Sequence, residues 1–255
     1  MSAVRTADGP AGPPLSALEL TPDDIRELLR RGDLEILGRM PWSSNATMLA
    51  TLSAGDVDFP VIYKPRRGER PLWDFSTGSL CQREVATHDL SELLGWGVVP
   101  PTVMRDGPLG EGMVQLYVDH DPEEHYFTLL EDHADELRRF AVFDVLVNNA
   151  DRKGGHCLRG RADGHVWGID HGLTFHGEWK LRTVIWDFAG EMVPPPLADD
   201  VCRLLADAAV VDARLGPLLD PGEMQAFRDR ADELIRIGTL PNPDPGYHSV
   251  PWPLV

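Results

Sequence analysis

The 255-residue chain carries 41 acidic against 24 basic side chains, a formal net charge of −17, which argues against a nucleic-acid or anionic-membrane surface. Hydrophobic residues make up 42 % of it, enough for one large domain or two small lobes, and no apolar run is long enough to span a bilayer. Cys81, Cys157 and Cys202 form no C-x-x-C pair; together with an N-terminus that lacks the basic-then-apolar pattern of a signal peptide, they suit a reducing cytoplasm.

Residues 1–14, rich in Gly, Pro and Ala without periodicity, predict a disordered lead-in. Thr21-Pro22-Asp23-Asp24 predicts a helix start: a hydroxyl cap, proline at the first helical position, and acids at the positive end of the dipole. Leu34 to Leu37, Met48 to Leu52 and Phe59 to Tyr63 predict strands separated by turn formers. Gln82 to Leu94 predicts a helix that ends at Gly95-Trp96-Gly97, with Pro100-Pro101 preventing its resumption. Met113 to Val118 predicts a further strand, and Asp135 to Val147 the strongest helix, with Leu137, Phe140, Ala141 and Val145 on one face. Val166 to Ile169 predicts a short strand, and helices follow around 197–208 and 221–237. Strands with one helix, then mostly helices, predict an α+β fold of two lobes with a cleft between them. The small strand-rich N-lobe would run over residues 15–118 and the mostly helical C-lobe over 119–240. Residues 241–255, with five prolines, form a Pro-rich tail.

The residues that carry chemistry lie in four of these segments. Lys64 ends the apolar strand Val61-Ile62-Tyr63, a rigid support for an ammonium aimed at phosphates, and Glu84 on the following helix is placed to pair with it. Lys64, Arg66, Arg67 and Arg70 form the densest positive cluster in the acidic chain. Gly38 to Asn45 joins two predicted strands and offers Ser43, Ser44 and Asn45 as donors to phosphate oxygens, although a plain hairpin connection has the same composition. Asp151, directly after the strongest helix, is a candidate general base, with Arg152 and Lys153 beside it to hold it ionised and to screen a transferring group. Asp170 ends an apolar strand in an Asp-x-Gly turn, which exposes an acid as a candidate ligand and is also a common turn. His156 stands five residues after Asp151, and imidazole is a poor magnesium ligand that favours manganese or zinc. His156, Asp170 and His171 also compose a candidate His/Asp transition-metal site.

Asn149-Ala150-Asp151-Arg152-Lys153-Gly154-Gly155-His156 and Ile169-Asp170-His171-Gly172 resemble the catalytic and metal-binding loops of a kinase. With Ile62-Tyr63-Lys64-Pro65, Arg83-Glu84-Val85-Ala86, Val99-Pro100-Pro101-Thr102 and Gln115-Leu116-Tyr117-Val118 in the same order, the chain is similar to the phosphatidylinositol 3- and 4-kinase superfamily. Within it the pattern is nearest the type II phosphatidylinositol 4-kinases and their small bacterial relatives, over roughly three-fifths of the chain. It is also identified as a member of a bacterial, mostly actinobacterial, family that shares Lys-Pro-Arg-Arg-Gly-Glu and the Asn149–His156 motif.

The resemblance implies a two-lobed protein-kinase-like fold binding ATP with Mg2+ or Mn2+. It implies that Lys64 and Glu84 hold the phosphates, that Gln115, Tyr117 and Val118 touch the adenine, that Asp170 and His156 hold the metal, and that Asp151, assisted by Lys153, orients an acceptor hydroxyl. The family has Asn where His156 stands, and no cysteine-rich palmitoylation segment lies near the basic cluster. A protein or small-molecule hydroxyl is therefore the expected acceptor, without stable membrane association. Phosphoryl and nucleotidyl transfer use the same charged cleft. The alternatives are a nucleotide-binding pseudokinase acting as an interaction module, and a transition-metal hydrolase built on His156, Asp170 and His171.

Overall fold

A computed structural model describes residues 20–40, 45–55 and 57–255, so the expected lead-in over 1–14 lies outside the described residues. The chain divides into two compact units. One holds the described residues up to Arg70 together with Pro101–Tyr117; the other holds Pro71–Pro100 and Val118–Val255.

The first unit is a five-stranded antiparallel sheet of β1 (Asp33–Arg39), β2 (Met48–Ala54), β3 (Val57–Pro65), β4 (Thr102–Gly107) and β5 (Gly110–Leu116) in the spatial order β1-β2-β3-β5-β4, with helix α1 (Pro22–Arg31) packed on it. Thr21 caps α1 through a reciprocal box with Asp24, Pro22 stands in the first turn, and the acids lie where the sequence places them. β1 and β2 pair antiparallel, and β3 follows. In β3 the alternation sets the faces: Phe59, Val61 and Tyr63 are buried, with Leu29, Leu52, Val103 and Val114, in the unit's core. Lys64, one residue out of phase, therefore belongs to the opposite face. β4, which the strand pattern did not announce, forms a hairpin with β5. β5 then lies against β3 so closely beside Lys64 that a Cβ on Gly112 would stand 2.3 Å from the Lys64 carbonyl oxygen.

The second unit is built around α2 (Leu80–Leu94) and α4 (Ala134–Val147), with α3 (Tyr126–Leu129), α5 (Pro195–Ala206), α6 (Ala208–Leu215) and α7 (Pro221–Ile237). A small hairpin of β6 (Cys157–Arg159) and β7 (Val166–Gly168) completes it. Residues 71–100, expected with the strand-rich lobe, group here because Ala86, Leu90 and Leu94 of α2 enter the same core as Phe140, Phe143, Leu146 and Phe227. α2 is buried on every side, which is why its sequence shows only a weak apolar stripe. Gly95, at φ 71°, ends it by taking the left-handed conformation without a Cβ penalty. No helix among the described residues is long and apolar enough to cross a membrane.

Candidate active site

The site begins at the end of α4. Asn148 caps the helix in the left-handed conformation at φ 51°. Its side chain accepts from the Lys180 amide at 2.8 Å and donates to the His176 and Glu178 carbonyls at 3.0 and 2.7 Å, so the chain leaves the helix in a fixed direction. One turn back on α4 lies Asp144, fully buried. Its carboxylate receives Arg152 Nε at 3.0 Å and Nη2 at 2.9 Å, and the Asn149 amide at 2.9 Å. Arg152 is itself fully buried and spends its remaining donors on the His156 and Ile169 carbonyls, each at 3.3 Å, and on His171 Nε2 at 2.6 Å. One guanidinium thus fastens α4, the loop carrying Asp151 and the turn carrying Asp170 to a single point. This corrects the role expected for Arg152. It neither faces Asp151 nor screens a transferring group; it holds the site in place.

Asp151 and Lys153 remain at the surface of this scaffold. Lys153 Nζ stands 3.0 Å from Asp151 Oδ2, and the Asp151 amide donates to Asn149 Oδ1 at 3.0 Å. Burial raises the Asp151 pKa and the nearby charge of Asp170 adds to the rise, while the Lys153 ammonium opposes it. The shift fits a carboxylate poised to take a proton, and the mutual effect places Asp151 and Asp170 in one electrostatic neighbourhood.

Asp170 is about half exposed and sits at φ 60°, a conformation rare for a residue with a Cβ and frequent at functional turns. The turn is held by the His171 amide, which donates to Glu84 Oε2 at 3.0 Å, and by Thr174 Oγ1 on the His171 carbonyl at 2.8 Å. His156 Nε2 lies 3.5 Å from Asp170 Oδ2, and its Nδ1 faces the Lys153 amide at 3.4 Å. An imidazole nitrogen and a carboxylate oxygen at that separation suit two neighbouring ligands of one divalent ion, each about 2.1 Å from it. The donor set therefore fits a metal. His171 does not join it. It is fully buried, and because a guanidinium only donates, its Nε2 must accept from Arg152. Among the described residues no group of three His, Cys, Asp or Glu side chains could hold an ion, so the hydrolase alternative loses its third ligand.

The remaining expected residues lie in or beside the sheet. Lys64 pairs in register with Met113 on β5. Gln115 is buried with its amide on Thr102 Oγ1 at 2.9 Å, which occupies its side chain within the sheet. The Tyr117 amide donates to the Pro60 carbonyl at 3.2 Å, and Val118 opens the second unit with its carbonyl on His120 Nδ1 at 2.8 Å. In the basic cluster, Arg66 is paired with Glu111 at 2.7 Å. Ser43 and Ser44 fall outside the described residues.

Three supporting residues were missed by motif reading. Asp144 sits in an apolar helix face, where a lone acid is itself the signal, because a buried carboxylate requires a partner. Arg83, also buried, donates to the Thr174 carbonyl at 2.5 Å and pairs with Glu223 of α7; nothing local distinguishes it. Cys157 sits beside Arg152 and Asp144, yet complete burial dominates and pushes its thiol up to about 12. A maleimide reagent at neutral pH is accordingly expected to modify exposed Cys202 and to leave buried Cys81 and Cys157 untouched until denaturant is added. Peptide mass mapping reads the outcome, and labelling of Cys157 in the native protein would contradict it.

A sheet-bearing unit, a helical unit and a loop–hairpin–turn carrying Asp151 and Asp170 define a two-lobed α+β kinase-like fold, and solved structures agree. The Golgi casein kinase with Mn/ADP bound aligns at a TM-score of 0.56 with 14 % identity, over 84 % of this chain and 74 % of its own. Hydra Fam20 with sugar aligns at 0.54 with 15 % identity, over 85 % and 87 %, and the Helicobacter pylori proinflammatory kinase CtkA at 0.52 with 10 % identity, over 83 % and 94 %. The family model for phosphatidylinositol 3- and 4-kinase matches residues 104–212. Protein Rv2133c of Mycobacterium tuberculosis is 41 % identical over 91 % of this chain and 95 % of its own length. The chain belongs to that protein's family, and its residues 104–212 match the kinase model that its motifs resemble.

Proposed function

We propose that the protein is an ATP-dependent phosphotransferase acting on a protein or small-molecule hydroxyl. The observation that carries this reading is the convergence of two acids with opposite needs on one scaffold. Asp151 is desolvated beside Lys153, and Asp170 is exposed beside His156, with Arg152 and Asp144 fixing both loops. Such chemistry depends on positioning and charge neutralisation far more than on covalent catalysis. Asp170 and His156 would hold a divalent ion, which neutralises phosphate charge when bound. Lys64, with Glu84, serves the phosphates, and Tyr117 and Val118 serve the base. Asp151 orients the acceptor hydroxyl, whose oxygen forms the new bond to the γ-phosphorus as the bond to the bridging oxygen breaks. ADP leaves and the hydroxyl proton passes to Asp151. The casein kinase among the structural neighbours, which carries manganese and ADP in its structure, supports the choice of ligands, and imidazole at position 156 favours manganese over magnesium.

A second reading, a pseudokinase that binds nucleotide or a partner without turnover, is favoured by one contact. With Nδ1 accepting from the Lys153 amide, Nε2 is the nitrogen left to carry a proton toward Asp170. Calorimetric titration of ATP with Mg2+ and then Mn2+, on wild type beside Asp170→Ala, separates the readings from failure. Metal-dependent binding at least tenfold weaker in the variant is the expected result. Absence of binding with either metal would end the phosphotransferase reading; binding without ADP formation would leave the pseudokinase.

A further inference from the structure

The last residues of the chain touch the loop that carries Asp151. Ser249 is buried and its carbonyl accepts from the Thr183 amide at 3.0 Å and from Trp186 Nε1 at 2.9 Å, while Pro251 is buried behind it. From that anchor the segment runs without regular structure to Leu254, whose carbonyl accepts from the Gly154 amide at 2.6 Å. Gly154 lies three residues beyond Asp151 and opens the turn that carries His156. A Cβ on Gly154 would stand 3.0 Å from Phe127 Cε2 and 3.2 Å from the Leu254 oxygen, and one on Gly155 would stand 3.6 Å from Val255 Cγ1. Gly154 is thus the residue whose lack of a side chain lets a backbone lie close on this turn, while Gly155 is in ordinary contact range.

The contact has the form of peptide recognition. A loop amide meets a backbone carbonyl, a half-exposed ring, Phe127, stands beside the donor, and the occupant is an irregular, proline-containing stretch, Ser-Val-Pro-Trp-Pro-Leu-Val, without a charged side chain. Two prolines in seven residues restrict the backbone of the free segment and so lower the entropy lost on docking. Trp252, 86 % exposed, contributes little to holding it down, so the segment is fastened at Ser249 and Pro251 and again at Leu254.

We propose that the Gly154–Gly155 turn and Phe127 form a seat for a proline-containing polypeptide segment without charged side chains, filled in cis by residues 249–255 and open to such a segment of another polypeptide when these leave. As a view of the acceptor this rests on the phosphotransferase reading, for it makes that acceptor a protein; as a binding site it does not.

The test uses the full chain and a dye-labelled synthetic peptide of the sequence of residues 249–255, followed by fluorescence anisotropy without nucleotide. Pro251→Asp, which puts a carboxylate at a buried position, is expected to release the segment and bind the peptide at least tenfold more tightly than wild type. Exchange of the Gly154 amide should quicken by a similar factor while the Arg152 amide stays protected. Deletion of Leu254 and Val255, which removes the accepting carbonyl at an exposed position, should shift both readouts in the same direction. A peptide that stops at Pro253, lacking the Leu254 carbonyl, should bind neither protein. Equal peptide binding by wild type and both variants, no binding by a variant whose Gly154 amide has been freed, or unchanged exchange in both variants would each overturn the seat. ATP binding without peptide binding would sink the seat alone, and peptide binding without ATP binding would sink the kinase reading alone.

Discussion

Asp144→Ala is expected to cost about 3–5 kcal/mol of stability, the usual consequence of leaving one member of a buried ion pair uncompensated. The carboxylate and the guanidinium of Arg152 are both removed from water, and Asp144 also receives the amide of Asn149. Removing it strands the Arg152 charge in the core and frees the loop before Asp151. Arg152→Met should cost a similar amount for the converse reason, and it also releases the His156 and Ile169 carbonyls and His171. At 2–4 °C per kcal/mol for a unit of this size, each variant should melt about 6–20 °C below wild type in a thermal scan. The double variant Asp144→Leu/Arg152→Met should lose clearly less than the sum of the two, since no charge remains unpaired. A loss below about 1 kcal/mol for Asp144→Ala would mean that the pair is solvated and that the site is fastened elsewhere.

The parts of this architecture legible in the sequence are those fixed by local rules. The cap of α1 at Thr21, the end of α2 at Gly95, the alternation of β3 and the amphipathic run of α4 each rest on neighbours within a turn or two of chain, and each was found. The placement of Asp151 after α4 and of Asp170 after β7 was legible because a polar loop after a strong helix and an acid at a strand end are local patterns. Periodicity did not announce β4, because Thr102–Gly107 has two apolar residues and then turn-like ones; only the resemblance of Val99–Thr102 to a strand entry pointed to it, and its strand state comes from pairing with β5. β6, at three residues, likewise exists by its partner β7. The fate of Arg152 was illegible for a different reason. An Arg beside an acid in a polar motif reads as a surface charge, and only the three-dimensional approach of Asp144 explains its burial. His171 shows the same limit, since adjacency to Asp170 suggests a shared ligand set while the chain turns the two side chains to different neighbours.

Asp151→Ala should lower phosphoryl transfer by about a hundred- to ten-thousandfold, the range supplied by a positioned base, and leave ATP affinity within about threefold of wild type. The asymmetry follows from placement. Asp151 faces Lys153 and is held by Asn149, whereas Asp170 and Lys64 carry the metal and phosphate roles proposed above. ADP formation with Mn2+ measures the first effect and calorimetry the second. The pH dependence adds a sign. In the role proposed for it Asp151 must be ionised, and burial together with Asp170 raises its pKa above the ordinary carboxylate value, so activity should fall on the acid side at a higher pH than an exposed aspartate would give. Lys153→Met removes the ammonium that counteracts the rise and should move that acid limb higher still. An acid limb that moves downward in Lys153→Met, or an Asp151→Ala protein that retains full transfer, would remove Asp151 from the acceptor side and leave Asp170 as the only acid the chemistry requires.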